Sequence, residues 1–171
     1  MTKRLNRRRF LASSSAAVAA GLTGGYFVNP GSAASAADAP HESLNLAIIG
    51  CGNKGWHNVQ QLKSENIVAL CDVDTKYLGK AADAYPQASK HRDYRVMLDK
   101  CCKEIDAVVV STADHNHAPA TSIALELGKH VYCEKPLTHT VWEARQIAQL
   151  AKKARVATQM GIQIHANNNY R

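Results

Sequence analysis

Short apolar runs alternate with amphipathic stretches along the chain from residue 44 to residue 161. The runs have the length and composition of buried strands, whereas the longer stretches repeat their apolar residues at helical spacing. The pattern predicts strands at 44–50, 66–72, 88–91, 107–111, 131–133 and 156–161. It predicts helices at 53–64, 74–85, 93–103, 119–128 and 141–154. No internal repeat is visible.

The ends of several predicted helices carry recognisable signals. Asp93 can cap the start of one helix, Pro119 suits the first turn of another, and Gly128 suits the position just after its end. Apolar strands that alternate with helices are typical of a parallel sheet covered on both faces. Right-handed crossovers then predict a doubly wound α/β fold, with a parallel sheet over residues 44–163.

The composition is that of an ordinary folded protein. The chain has 171 residues, of which 46% are hydrophobic and 20% are charged. These values exclude a collagen-like chain, low-complexity disorder and a small disulfide scaffold, and the length suits about one domain. Five basic and no acidic residues precede residue 37, so the rest of the chain carries only +2 of the net charge of +7. A nucleic-acid partner is therefore not expected, because it would need a basic face on the folded domain.

The N-terminal segment resembles a twin-arginine export signal. Residues 6–11 read NRRRFL. This fits the export pattern of two arginines, one residue of any type, and then Phe-Leu. A mildly apolar run follows at 16–28, and the ASA sequence at 34–36 fits an A-x-A cleavage site. A membrane anchor is the alternative, but the run is short for a span and rich in Gly, Ser and Thr. We expect a signal peptide at 1–36, a linker at 37–43, the twin-arginine export machinery as a partner, and a periplasmic or exported protein.

The cysteines and histidines do not form a metal-binding pattern. The five cysteines are Cys51, Cys71, Cys101, Cys102 and Cys133, with no C-x-x-C pair and no zinc-site spacing. We interpret three of them, which lie at or just beyond the ends of predicted strands, as buried thiols: Cys51, Cys71 and Cys133. His115 and His117 could pair on a metal ion, but the sequence places no third ligand beside them. We predict no metal site.

A glycine-rich hexapeptide joins the first predicted strand to the first predicted helix. Gly50, Gly52 and Gly55 form a G-x-G-x-x-G pattern that includes Asn53. The first glycine makes a tight turn, the second lets the backbone approach a pyrophosphate, and the third lets helix and strand pack closely. The N–H groups at the start of the helix then face the anion. The loop therefore predicts a dinucleotide-binding site of the Rossmann type.

Asp72 ends the second predicted strand, 22 residues after Gly50. A carboxylate at this place accepts hydrogen bonds from the adenosine ribose and repels a 2′-phosphate, so NAD is favoured over NADP. Lys76 keeps NADP possible, because a nearby cation could tolerate the phosphate. The alternative for Asp72 is a helix-capping or solvated loop residue.

Polar residues also follow the fourth and fifth predicted strands, at 111–117 and 133–136. Ligands bind at this edge of open α/β sheets. The sequence GKHVYCEKPL at 128–137 resembles the hallmark segment of the glucose–fructose oxidoreductase / inositol dehydrogenase / MocA (Gfo/Idh/MocA) family. The DVD sequence at 72–74 and the spacing of Thr112 and His117 also match that family. The resemblance covers residues 44–163.

The resemblance implies an NAD(P)-dependent oxidoreductase that acts on a sugar or polyol. By analogy, Lys135 would be the catalytic residue, hydrogen-bonded to the reacting hydroxyl and adjacent to the cofactor, and the Lys135–Pro136 peptide bond would be cis. The other residues implied to contact the cofactor are Thr112, Asn116, His117 and Glu134. Ala113 departs from the proline found in many members.

The resemblance also leaves alternatives open. Some members are glycoside hydrolases that use NAD transiently, and a non-catalytic nucleotide-binding module is a further possibility. Family members have a second domain that carries the substrate pocket, and residues 164–171 would be only its beginning. We therefore expect the C-terminal substrate domain to be absent from this chain, the chain alone to be catalytically incomplete, and the full-length enzyme to be a homo-oligomer.

Overall fold

Six parallel strands form one sheet in the computed structural model, which describes residues 43–162. The strands are β1 (Asn45–Ile49), β2 (Asn66–Cys71), β3 (Ser89–His91), β4 (Ala107–Val110), β5 (His130–Glu134) and β6 (Thr158–Gly161). Their order across the sheet is β3-β2-β1-β4-β5-β6, and every neighbouring pair is parallel. The predicted doubly wound α/β fold is confirmed. The expected signal peptide, almost all of the linker and the segment 164–171 lie outside the described residues.

Five helices connect the strands. They are α1 (Lys54–Gln61), α2 (Thr75–Ala84), α3 (Tyr94–Cys101), α4 (His117–Glu126) and α5 (Val141–Ala154). Short 3-10 turns follow α3 at Cys102–Glu104 and precede α4 at Asp114–Asn116. Within residues 43–162, no helix combines the length and the apolar character needed to cross a membrane.

The apolar residues of the sheet divide into two clusters because side chains alternate between its faces. On one face, Ile48 and Leu70 pack with residues of α1 and α2 such as Val59 and Leu78. On the other face, residues of β1, β4 and β5 pack with α3, α4 and α5. Both faces are therefore apolar, which explains why the strands show no alternation of apolar and polar residues in the sequence.

Three thiols are part of this core, as predicted. Cys51, Cys71 and Cys133 are each at most 3% exposed. Burial, together with the nearby Asp72 carboxylate, raises the pKa of the Cys51 and Cys71 thiols to about 12. Burial likewise raises the pKa of Cys133 to about 11. All three side chains are therefore neutral thiols near neutral pH and act as small apolar residues.

Side-chain caps fix where the helices begin. The Asp74 carboxylate accepts from the Lys76 N–H at the start of α2, and the Asp93 carboxylate accepts from the Arg95 N–H at the start of α3. Thr140 begins α5 with a full capping box, in which the Glu143 carboxylate accepts the Thr140 N–H at 2.8 Å. These backbone bonds lower the pKa of Glu143. The caps satisfy first-turn N–H groups of these three helices, whereas α1 and α4 begin without a side-chain cap.

Candidate functional site

The glycine loop between β1 and α1 is packed so tightly that side chains would not fit. Gly50 has φ +92°, and a Cβ on it would lie 2.5 Å from the carbonyl oxygen of Ser111. A Cβ on Gly55 would overlap the carbonyl oxygen of Gly50, because the first turn of α1 rests directly on the turn after β1. A Cβ on Gly52 would meet the Tyr77 ring at 2.7 Å. The loop therefore presents bare backbone to the cavity beside it, as a pyrophosphate cradle requires.

Asn53 is the N-cap residue of α1. Its backbone has φ 43°, and its side chain makes no capping bond to the helix. Two N–H groups of the first turn, those of Gly55 and Trp56, donate to the Gly52 carbonyl oxygen at 2.8 and 3.4 Å. Lys54, the first residue of α1, lies at a cavity of about 780 Å³ that brings together six residues predicted to bind the cofactor: Gly50, Gly52, Asn53, Asp72, Thr112 and Asn116.

Asp72 is held against the glycine loop rather than used as a helix cap. Its Oδ2 accepts from the Cys51 N–H at 2.7 Å, and its Oδ1 accepts from the Asp74 N–H at 2.9 Å. Asp74 supplies the cap of α2 instead. Each Asp72 oxygen keeps further acceptor capacity, because a carboxylate oxygen has two lone pairs. The geometry suits an acceptor of ribose hydroxyls and excludes the capping alternative.

Arg92 is a residue at this end of the cavity that the sequence did not indicate. Its guanidinium donates to the Val73 carbonyl oxygen at 3.1 Å and lines the same cavity as Asp72. Lys76, which the sequence suggested as the cation that could tolerate a phosphate, is exposed and does not line this cavity. The β3–α3 connection thus places a cation at the cavity that Asp72 lines.

The loop after β4 continues the cavity toward α4. Ser111 and Thr112 are half-buried, and Asn116 lies at the start of α4. His117 is only 1% exposed, with Nε2 2.9 Å from the Thr112 carbonyl oxygen and Nδ1 2.6 Å from that of Pro136. Its ring therefore lies between two loops of the site, and contact with a cofactor stays a prediction for this residue.

The loop after β5 contains the cis Lys135–Pro136 peptide bond that the family resemblance implied. Glu134 is 4% exposed, and its Oε1 accepts from Asn58 Nδ2 at 2.9 Å and from the Tyr132 hydroxyl at 3.0 Å. Lys54 Nζ lies 3.6 Å from the same oxygen. Burial and the bond to Glu134 raise the pKa of Tyr132 to about 12, so this hydroxyl remains a donor. Glu134 is thus firmly held by its own chain.

Lys135 is exposed and lines a second cavity of about 570 Å³. This cavity adjoins the first, because Lys54, Ser111 and Thr112 line both. The two cavities follow the carboxyl edge of the sheet, with Asp72 at one end and Lys135 at the other. Such an elongated groove suits a ligand with two nucleotide halves. Nine of the ten residues predicted from the sequence line it, whereas Gly55 packs beneath the loop against the Gly50 carbonyl oxygen.

Besides Arg92, the sequence analysis did not identify three further residues at this edge: Lys54, Asn58 and Tyr132. Only Asn58 left a signal. It sits beside the buried stripe of α1 formed by Gly55 and Val59, where a polar side chain needs a partner. The described residues hold no group of three or more His, Cys, Asp or Glu side chains suited to a metal ion. His115 is exposed, whereas both ring nitrogens of His117 face carbonyl oxygens.

Comparison with known proteins identifies a family for this arrangement. The family model described as "Oxidoreductase family, NAD-binding Rossmann fold" (GFO_IDH_MocA) matches residues 44–162. An α-N-acetylgalactosaminidase of Shewanella oneidensis is 28% identical over 97% of this chain and 40% of its own length. An inositol 2-dehydrogenase of Salmonella paratyphi B is 27% identical over 65% of this chain and 34% of its own length.

A solved structure supports the same relationship. The myo-inositol 2-dehydrogenase of Lactobacillus plantarum superimposes with a TM-score of 0.70 and 27% identity, over 76% of this chain and 39% of that one. The chain spans about 40% of the length of the curated relatives it matches.

Proposed function

The chain belongs to the oxidoreductase family with an NAD-binding Rossmann fold, and on this premise we propose that it is the cofactor-binding part of an enzyme that transfers hydride between NAD and a sugar or polyol. Two relatives named as inositol dehydrogenases support a polyol substrate. The chain covers about 40% of the length of these relatives, so the substrate is proposed for the enzyme as a whole.

One observation carries the proposal: the glycine loop, Asp72 and Lys135 line one continuous groove at the carboxyl edge of the sheet. The backbone at Gly50 and Gly52 and the Lys54 N–H at the start of α1 would hold the pyrophosphate, and Asp72 would accept the adenosine ribose hydroxyls. That placement directs the other half of the dinucleotide toward the loop after β5.

At the end of the groove opposite Asp72, Lys135 and Glu134 would contact the substrate and the cofactor. NAD, when bound, supplies the hydride acceptor. The Lys135 ammonium would donate a hydrogen bond to the oxygen of the reacting hydroxyl and stabilise the negative charge that this oxygen carries after its proton has passed to water and before the hydride is transferred to NAD. Glu134, already bound to Asn58 and Tyr132, would form the wall of the groove beside it.

The first test is a calorimetric titration of the chain with NAD and with NADP. We expect micromolar NAD affinity, weaker NADP affinity, and a loss of about tenfold in NAD affinity for Asp72→Ala, equivalent to about 1.4 kcal/mol. Asp83→Ala, which removes an exposed carboxylate from α2, is the matched control and should bind NAD like the wild type. Equal affinities for the two nucleotides, or an Asp72→Ala variant with unchanged NAD affinity, would refute this assignment.

Glycoside hydrolysis is a second candidate, because the relative named α-N-acetylgalactosaminidase aligns with 97% of this chain. A hydrolase that uses NAD transiently forms no net NADH, whereas a dehydrogenase does. The enzyme is to be incubated with NAD and either inositol or an aryl α-N-acetylgalactosaminide. NADH absorbance that grows with inositol supports the oxidoreductase, and release of the aryl group without NADH supports the hydrolase.

We further propose that the protein is exported by the twin-arginine machinery. The support is the NRRRFL sequence at 6–11 and the ASA sequence at 34–36, which lie outside the described residues. Replacing Arg7 and Arg8 together by lysine should stop export of a reporter fused to residues 1–43. Export that continues in the double lysine variant would contradict the proposal.

A further inference from the structure

A buried amide joins two loops of the candidate site from one side of the sheet. Asn58 of α1 is 7% exposed. Its Nδ2 donates to Ser111 Oγ and to Glu134 Oε1, each at 2.9 Å. Ser111 follows β4 and Glu134 ends β5, so a single side chain ties together the ends of two neighbouring strands. A buried amide is costly unless its donors are satisfied, and these two bonds satisfy them.

A buried imidazole joins the same two loops from the opposite side. His117 of α4 contacts the Thr112 carbonyl oxygen at 2.9 Å and the Pro136 carbonyl oxygen at 2.6 Å. Carbonyl oxygens only accept, so a neutral ring satisfies one of the two contacts and a doubly protonated ring satisfies both. The α1 side chain and the α4 side chain thus contact adjacent residues of the loop after β4, Ser111 and Thr112, and residues on either side of Lys135 in the loop after β5.

Lys135 lies between the tied residues of its loop. Glu134 on one side is bonded to Asn58, and Pro136 on the other is contacted by His117. Lys135 itself is exposed, and its ammonium has no bonded partner among residues 43–162. The position of its Cα is therefore set by the two neighbours rather than by contacts of its own side chain.

We propose that Asn58 and His117 are positioning residues that form a two-sided clamp, which fixes the Lys135 loop relative to the loop after β4. The clamp acts through Ser111, Thr112, Glu134 and Pro136, and it requires no contact of either residue with substrate. Its value to the enzyme rests on the proposed function, because hydride transfer depends on a lysine held at a set distance from the cofactor. The clamp itself is a property of the free chain and can be measured there.

The test is amide hydrogen exchange of the 171-residue chain and its variants, followed by mass spectrometry. In both Asn58→Ala and His117→Ala, residues 111–116 and 134–138 should exchange about tenfold faster or more, while the strand interiors keep their protection. Gln60→Ala on α1 and His115→Ala before α4 remove exposed side chains and serve as matched controls without an effect. Faster exchange spread evenly over all strands would show a general packing role and overturn the clamp.

A milder variant keeps the test decisive if Asn58→Ala does not fold. Ser111→Ala removes one acceptor of the Asn58 amide and leaves the bond to Glu134 in place. Exchange should then rise in the loop after β4 and stay unchanged in the loop after β5. Equal changes in the two loops, or none in either, would contradict the connection through Asn58.

Acidification supplies a readout that a packing role would not give. Asn58→Asp places a second carboxyl group against Glu134, which also contacts the Tyr132 hydroxyl and the Lys54 ammonium. Two facing carboxylates repel, but a proton shared between them restores one donor bond. Protection of the Lys135 loop in this variant should therefore recover as the pH falls from about 8 to about 5.5, after correction for intrinsic exchange. Protection that does not change with pH would overturn the assignment of Asn58.

These measurements separate the clamp from the proposed function. If the wild-type chain binds no NAD, the proposed function fails while the exchange experiment still decides whether the clamp exists. If NAD binds and the clamp variants exchange normally, the proposed function stands and the clamp is wrong.

Discussion

Among the described glycines, Gly55 is the position where an added methyl group would clash most severely with its surroundings. A Cβ there would overlap the carbonyl oxygen of Gly50, which is backbone and has no rotamer to change. The first turn of α1 would have to lift from the turn after β1, and Lys54, which lines the cavity, would move with it. Cofactor binding and folding stability therefore depend on the same contact.

We predict that Gly55→Ala loses stability by about 1–3 kcal/mol, the usual cost of overpacking a tight site. NAD affinity should fall at least tenfold in calorimetry, by about 1.4 kcal/mol or more. Gly79→Ala is the matched control, because Gly79 lies within α2 and a Cβ there meets no atom within 4 Å. That variant should gain about 0.5–1 kcal/mol in urea denaturation, since alanine is the better helix former, and keep its NAD affinity. A Gly55→Ala protein as stable as the wild type would contradict the packing argument.

The strands could be predicted from the sequence because their signal is local. Four-residue apolar runs such as Ala107–Val110 can only be buried, and all six predicted strands are present. Helix ends were predicted where a residue marks them, as Asp93 does for α3 and Gly128, with φ +69°, does for the end of α4. The alternation of the elements then sufficed for the fold class.

Helix ends without such a mark were placed wrongly. The helix predicted at 53–64 ends at Gln61, because the Leu62 N–H turns back to the Val59 carbonyl oxygen while the apolar pattern continues. The helix predicted from Pro119 begins at His117. Proline suits any position of a first turn, where N–H groups have no partner in the helix, so it does not identify the first residue.

The site was predictable where its residues follow a motif and not where they meet only through folding. The glycine loop and Asp72 belong to the same strand–helix–strand unit, formed by β1, α1 and β2. Their separation along the sequence is therefore nearly fixed. Asn58 and Glu134 are 76 residues apart, and the bond between them depends on α1 crossing to the side of β5. Nothing in the local sequence of either residue specifies that partner, so the network around Glu134 required the structure.

The order of the strands explains why one edge of the molecule holds the whole site. The chain runs outward from β1 to β2 and β3, then returns to β4 on the other side of β1. Loops that follow β1 and β4 therefore leave the sheet in opposite directions and open a crevice between them. The Gly50 turn and Ser111 face each other at this crevice, and both cavities extend from it. The Asp72 end and the Lys135 end of the groove both depend on this return of the chain from β3 to β4.

Because the pyrophosphate cradle, Asp72 and the clamp all lie within residues 43–162, NAD binding should stabilise the described domain as one unit. At an NAD concentration about a hundredfold above the dissociation constant, linkage gives about 2.7 kcal/mol of stabilisation. For a domain of this size that corresponds to a rise in Tm of roughly 8–11 °C in calorimetry. Gly79→Ala should show the same rise from its own starting Tm, whereas Gly55→Ala should show little, because its cradle is displaced. A wild-type Tm that does not respond to NAD, or that rises equally with NADP, would mean that the groove does not bind the cofactor through Asp72 and the glycine loop.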